Sequence, residues 1–252
     1  MSRKGTAPLP QTCYPAVWLW PGQALYSGPA LGLNAHSGSV WCLVVGVDAP
    51  VTISVDGRTI TARSALVPPR LVHQLRMKGP LMSCYLDPTS ARAATCRAQF
   101  TQIESGIAFD HAAQQDLLQP PADDAAARRW LDAAAPSDVH RMDPRIELAA
   151  KRIRDDPAAA VSAADLAAAA GLSESRFLHL FREQMGSSLR RYRQWCRLLH
   201  AGRMVGAGAN LTTAAVESGF ASPSHLADRF KSTFGLSATR LLATGLVIRD
   251  GA

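Results

Sequence analysis

The chain has 252 residues, 47% of them hydrophobic and 19% charged, with a net charge of +7. This is the composition of a globular chain long enough for two separate cores, with no long low-complexity tract apart from alanine enrichment after residue 90. Five scattered cysteines (Cys13, Cys42, Cys84, Cys96 and Cys196) include no CxxC pair, and no run of about 18 apolar residues occurs, so neither a disulfide framework, a zinc module nor a membrane span is expected.

The N-terminal MSRKGTAPLPQ lacks the apolar core of a signal peptide, and the chain is expected to be soluble and cytoplasmic with no membrane partner. Charge is uneven along it. Residues 140–252 hold 16 Lys+Arg against 10 Asp+Glu, whereas the first 139 hold 11 against 10. The basic excess sits in the second half, the electrostatic footprint of a nucleic-acid-binding region.

From residue 16 to residue 87 the chain reads as short strands. AVWLWPG, ALYSGP, SVWCLVVGV, VTISVDG, RTITARSALVPP, HQLRMKGP and LMSCYLDP are rich in β-branched and aromatic residues and bounded by Gly, Pro or Asp. Asp56-Gly57 between two of them is a hairpin turn. Strands at this spacing predict a sandwich or barrel. If the barrel holds a ligand, Trp18, Trp20, His36, Trp41, Arg70, His73 and Tyr85 are the candidate wall residues of its pocket.

This half resembles the cupin-like sensory barrel at the front of many bacterial transcription regulators. Pro68-Pro69-Arg70-Leu71-Val72-His73 approximates the second cupin motif, with Arg70 where that motif has glycine, and His36 stands alone for the first motif. Two histidines without a carboxylate do not make a closed metal site, so no metal is assigned.

After Asp87-Pro88 the pattern turns helical: helices are expected within residues 89–105, 112–119 and 122–134, beside the barrel. Residues 135–143 are polar, carry Pro136 just before a second proline at 144, and form the candidate linker. The expected division is therefore 1–134 for sensing and dimerisation, 135–143 as linker, and 144–252 for an all-α domain.

Pro144 fits the first turn of a helix reaching Asp155. Residues 162–186 read as a helix, a Gly171 turn and a second helix. Ser162 and Ser173 are N-caps, with Asp165 completing a capping box. Phe177, Leu180, Phe181 and Met185 form one apolar face, and Ser175, Leu178, His179 and Arg182 form the other. A long helix spans about 188–205 and carries Arg190, Arg191, Arg193 and Arg197. A second helix-turn-helix covers 210–235, with caps at Asn210 and Ser222.

The second unit repeats the first. Ser222, Ser224, Leu226, Phe230, Lys231, Gly235, Ser237 and Arg240 each stand 49 positions after Ser173, Ser175, Phe177, Phe181, Arg182, Gly186, Ser188 and Arg191. With LAAAAGLSESRFLHLFREQMG and AAVESGFASPSHLADRFKSTFGLSATR, residues 144–243 look like the DNA-binding domain of the AraC family of bacterial transcription regulators. The resemblance implies seven helices, a rigid linker helix, and two recognition helices entering adjacent major-groove segments. By position it makes Ser175, Leu178, His179, Ser224, Ala227 and Asp228 base-facing, and Arg182, Lys231, Arg190 and Arg191 phosphate-facing. Asp228, Ala238 and Leu241 depart from the family pattern, which leaves the first unit as the stronger reader.

The expected fold is α+β and two-domain, a cupin-like β-barrel with flanking helices followed by the double helix-turn-helix domain. The expected function is sequence-specific transcription regulation, as an activator responding to a small-molecule effector in the barrel. Expected partners are double-stranded promoter DNA, RNA polymerase and a second copy joined through the N-terminal half. No cofactor or catalytic residue is assigned. A constitutive or thiol-redox regulator, with Cys42 and Cys84 as sensor thiols, is the alternative, and a cupin-fold enzyme the remote one.

Overall fold

The computed structural model describes residues 15–137 and 142–251. Cys13 and part of the candidate linker, residues 138–141, lie outside the described residues.

The seven expected segments form eight strands, RTITARSALVPP breaking at Arg63 into two: β1 (Ala16–Trp20), β2 (Gln23–Pro29), β3 (Trp41–Gly46), β4 (Val51–Val55), β5 (Arg58–Ala62), β6 (Ser64–Val67), β7 (Gln74–Arg76) and β8 (Pro80–Leu86). The helical connector is only partly so. Helix α1 (Ala91–Ala98) stops at Gln99, and FTQIESGIAFDH is a hairpin of β9 (Phe100–Glu104) and β10 (Ile107–His111). Its turn is Ser105-Gly106, both at positive φ, the chemistry of a tight hairpin turn. Residues 112–119 give only a 3-10 turn at Asp116–Leu118, closed off by Pro120-Pro121, before α2 (Asp124–Ala134).

Seven helices follow among the described residues: α3 (Pro144–Asp155), α4 (Ala163–Ala169), α5 (Glu174–Met185), α6 (Leu189–Gly206), α7 (Leu211–Glu217), α8 (Pro223–Phe234) and α9 (Ala238–Leu242). The chain then runs into an unexpected strand, β11 (Val247–Asp250), which pairs in parallel with β1.

The N-terminal half is not a closed barrel. It is an eight-stranded sheet ordered β11-β1-β2-β8-β3-β6-β10-β9 and a three-stranded sheet ordered β5-β4-β7. The large sheet ends in two different edges, β11 and β9, so no circle of hydrogen bonds closes. One face, with Trp18, Trp20, Leu25, Leu43, Met82 and Leu86, packs under α1 and α2. On the other face Cys42, Val44, Ala65 and Val67 pack against Ile53, Ile60 and Leu75 of the small sheet. The remainder of that face, Leu19 and Ala24 with Val17 and Tyr85, packs against the helical half around Trp195, Phe234 and Ile248. A sheet covered on both faces explains why WCLVVG is a continuous apolar run rather than an alternating one.

Three contacts fasten the helices to the sheet. Asp87, 1% exposed at the end of β8, accepts from Tyr192 Oη of α6 at 2.7 Å and lies 3.7 Å from Arg154 Nη1 of α3. The loop after β2 reaches α8, where Asn34 N donates to Gly235 O at 2.9 Å. Around β11, Gly251 N donates to Leu19 O at 2.9 Å and Arg128 Nη2 to Gly251 O at 2.6 Å.

Candidate nucleic-acid interface

The two helix-turn-helix units repeat each other in detail. Ser162 Oγ accepts from Asp165 N at 3.0 Å and Asp165 Oδ2 from Ser162 N at 3.1 Å, a complete capping box at the head of α4. Ser173 and Ser222 cap α5 and α8, and Ser188 and Ser237 cap α6 and α9. Gly186 and Gly235 end α5 and α8 in the left-handed conformation, at φ 61° and 77°. Phe177, Phe181 and Met185 of α5 are buried; of their α8 counterparts Leu226 is buried, and Phe230 and Phe234 are half-buried.

The opposite faces are open. Ser175, Leu178, His179 and Arg182 are exposed on α5, and Ser224, Ala227, Asp228 and Lys231 on α8. His179 Nε2 lies 4.0 Å from Glu183 Oε2 one turn on. Arg182 and Lys231 stand in the last turn of each helix, where the dipole favours a cation.

Between the units, a cleft of about 410 Å³ is lined by Leu178, Arg190, Arg193, Arg197, His225 and Arg229 among others. Arg193 donates to Val161 O and Arg197 to Pro157 O, so both guanidiniums are held by backbone rather than by carboxylates. Arg190 is exposed, while Arg191 is half-buried with its Nη1 3.3 Å from Ser37 Oγ of the sheet domain. Sequence reasoning weighed Arg193 and Arg197 only as added charge and missed Arg229, whose i, i+4 partner His225 was the available signal.

The residues expected to wall an effector pocket are scattered. Trp18 and Trp20 face α2 in the core, and Trp18 Nε1 donates to Asp124 Oδ1 at 2.8 Å. Trp41 lies under the Arg97 guanidinium, 4.6 Å from the ring centre. Arg70 is exposed at φ 72°, which explains the glycine usual there; a side chain in that conformation costs about 1–2 kcal/mol.

His36 and His73 do meet, bridging backbone to backbone with ring centroids 4.4 Å apart. Each donates Nδ1–H to the carbonyl two residues back, Asn34 O at 2.8 Å and Leu71 O at 3.0 Å. Burial lowers both pKa values, His73 to about 4, so the pair is neutral near pH 7. Among the described residues no group of three metal-ligating side chains forms.

Of the seven, Tyr85 alone lines an apolar cavity of about 150 Å³ between the large sheet and the helices. Its walls include Leu19 and Tyr85 from the sheet, Trp195 and Leu199 from α6, Phe234 from α8 and Leu241 from α9, with no charged residue. The apolar tail LLATGLVI was the sequence signal for this cavity.

The described cysteines are buried and unpaired. Burial pushes the Cys42 and Cys96 thiols up to about 12 and raises those of Cys84 and Cys196 as well. The reactive thiolate that a redox sensor needs is therefore disfavoured at each of them. Among the described residues no helix is long and apolar enough to cross a membrane.

Residues 166–244 match the family model described as a helix-turn-helix domain, of the AraC type. No curated protein matches the sequence. In fold, the chain is similar to ToxT from Vibrio cholerae. An apo single-substitution form superposes with a TM-score of 0.57 at 10% identity, covering 90% of this chain and 98% of that one. Wild-type ToxT bound to an unsaturated fatty acid gives 0.56 at 11% identity, covering 89% and 96%. ToxT bound to (E)-4-(8-methylnaphthalen-1-yl)but-3-enoic acid gives 0.56 at 11% identity, covering 88% and 99%. A likeness at this identity is one of architecture, a sheet-rich domain followed by paired helix-turn-helix units. With the matched domain, the two repeated units and the arginines between them that form no ion pair among the described residues, this chain carries an AraC-type helix-turn-helix domain and is a DNA-binding transcription regulator.

Proposed function

We propose that this regulator responds to an apolar small molecule held between its two domains, and that the ligand acts on DNA through the second helix-turn-helix unit. The observation that carries the reading is the cavity walled by both domains, in which Phe230 and Phe234 belong to the second unit and Leu19 and Tyr85 to the sheet. An apolar space of about 150 Å³ holds a benzene-sized group. Filling it favours the docked arrangement of the domains over any other, which is coupling in the thermodynamic sense. The acids in the ToxT structures set a precedent for apolar ligands in this fold.

Because the lining carries no charge, decanoic acid and its neutral methyl ester discriminate the ligand class. The ester should bind at least as tightly as the acid. Gly202→Leu, at a position where a Cβ already lies 3.2 Å from Leu19 Cδ1, should weaken ester binding by about tenfold or more. DNA affinity without ligand should stay unchanged. Ester binding undiminished in G202L would place the ligand elsewhere.

Toward DNA, the reading assigns Ser175, Leu178 and His179, then Ser224, Ala227 and Asp228, to base edges. Arg182, Lys231, Arg190 and Arg191 are assigned to phosphates. Exposure of the two helix faces and the arginine-lined saddle between them support this assignment. Binding to a promoter fragment should be salt-dependent and discriminate against random duplex. His179→Ala should relax base preference and Arg182→Ala should weaken binding to every sequence, each by about 1–3 kcal/mol or less. Equal losses on specific and random DNA for both variants would remove the distinction.

The regulator is further proposed to be cytoplasmic, to divide functionally at residues 135–143, to dimerise through the sheet domain and to activate transcription with RNA polymerase. The clustering of basic residues in the helical half supports the division.

A further inference from the structure

Beside the saddle between the helix-turn-helix units lies a second cleft, of about 400 Å³, at the junction of the two domains. Three arginines line it: Arg190 and Arg191 at the start of α6 and Arg229 on α8. The sheet domain contributes the hydroxyls of Ser37 and Ser39, and α8 that of Thr233. No carboxylate is in the lining, and among the described residues none of the three arginines forms an ion pair.

This donor set is one-sided. Guanidiniums carry only donors, and like charges gathered in a cleft repel unless an anion joins them. Planar guanidiniums flanked by hydroxyls match the oxygens of a phosphate, and the amide groups at the start of an 18-residue helix add to the positive potential. Two of the arginines are preorganised: Arg191 Nη1 already lies 3.3 Å from Ser37 Oγ, and Arg229 Nε donates to His225 Nε2 at 3.2 Å. Gln194 Nε2 spans the floor to Thr233 Oγ1 at 3.3 Å.

The geometry points to this cleft as a phosphate-type oxyanion site shared by both domains, filled either by a DNA backbone phosphate or by the phosphate group of a small molecule. An anion there touches α6, α8 and the loop carrying Ser37 at once, so its binding strengthens the docking of the helices on the sheet. This goes beyond the apolar effector, whose cavity shares no lining residue with the cleft, and its DNA branch rests on the phosphate role proposed above for Arg190 and Arg191.

The test uses the full chain and needs no operator for its first arm. Thermal unfolding is followed in inorganic phosphate and in chloride of equal ionic strength. The proteins are wild type, Arg191→Gln, Arg229→Gln and, as a charge control away from the cleft, Arg152→Gln. Phosphate should raise the melting temperature of wild type and R152Q by about 2–4 °C and leave R191Q and R229Q unmoved. The second arm separates the sources. If a DNA phosphate fills the cleft, the salt slope of DNA binding falls by about 1 in R191Q and R229Q. If the slope is unchanged while phosphate protection is lost, the occupant is a free phosphate compound. The proposal is overturned if phosphate protection is absent or equal in all four proteins and the salt slopes are also unchanged.

Discussion

Asp87→Ala should lower the stability of the protein by about 3–5 kcal/mol, because it leaves a partly buried cation without its counter-charge. Asp87 is fixed by three residues. Thr89 donates to Oδ1 through N at 2.8 Å and Oγ1 at 2.7 Å, and Tyr192 Oη donates to Oδ2 at 2.7 Å. Arg154 stands 3.7 Å away and itself donates to Tyr192 Oη at 2.9 Å and to Thr89 Oγ1 at 2.6 Å. The network joins the end of β8 to α3 and α6, so its loss loosens the helical half from the sheet as well as lowering stability. Urea unfolding reads the first effect, and broadening into two transitions reads the second. A loss below about 1 kcal/mol would mean that the helices dock without it.

Asp87→Asn keeps the shape and most acceptors and should cost less. Its pH dependence carries a definite sign. Burial raises the Asp87 pKa above 3.8, outweighing the lowering by Arg154, Thr89 and Tyr192. A carboxyl whose pKa is raised by folding opposes folding above the raised value, and that opposition fades as pH falls through it toward 3.8. Wild type should therefore gain on D87N as the pH is lowered through that window.

The second large effect separates two glycines that the repeat makes equivalent. Gly235→Ala places a methyl group 2.7 Å from Asn34 O, 2.8 Å from His36 Nδ1 and 3.1 Å from Leu33 Cβ. The nearest of these is backbone, and the loop bearing it must move. Gly186→Ala meets only Pro69 Cγ, at an ordinary 3.6 Å. Both substitutions carry the left-handed strain of about 1–2 kcal/mol, but only G235A adds an overpacking cost of about 1–3 kcal/mol. G235A should thus be the more destabilising, and its excess measures how firmly the sheet domain holds the second recognition helix. Equal losses would show that the loop follows the helix freely.

The helix-turn-helix half was legible because its signals are local. Ser162, Ser173, Ser188 and Ser222 cap helices from within one turn, and the 49-residue echo fixes the pairing of units without tertiary knowledge. The hairpin at residues 100–111 was hidden by the alanines and two arginines of ARAATCRA, whose helical preference extends in appearance past its real end at Ala98. The apolar cavity was not legible from strand pattern at all. In β1 both alternating sets are apolar, Trp18 and Trp20 toward α2, Val17 and Leu19 toward the helical half. When both faces are covered, alternation no longer says which face meets which partner. The clustering of Arg190, Arg191 and Arg229 likewise needed the packing of α6 against α8.

β11 has a consequence for how the chain is built. It follows all seven helices in sequence, yet it is the parallel neighbour of β1, near the opposite end of the chain. During synthesis β1 therefore emerges early and waits, one side paired with β2 and the other side bare, until the helices have been made and β11 arrives. A bare strand edge is a template for pairing with another chain, and non-local parallel pairing is slow to form. The folding hazard of this protein is thus concentrated on the outer edge of β1, and a nascent or truncated chain lacking Val247–Asp250 should self-associate there.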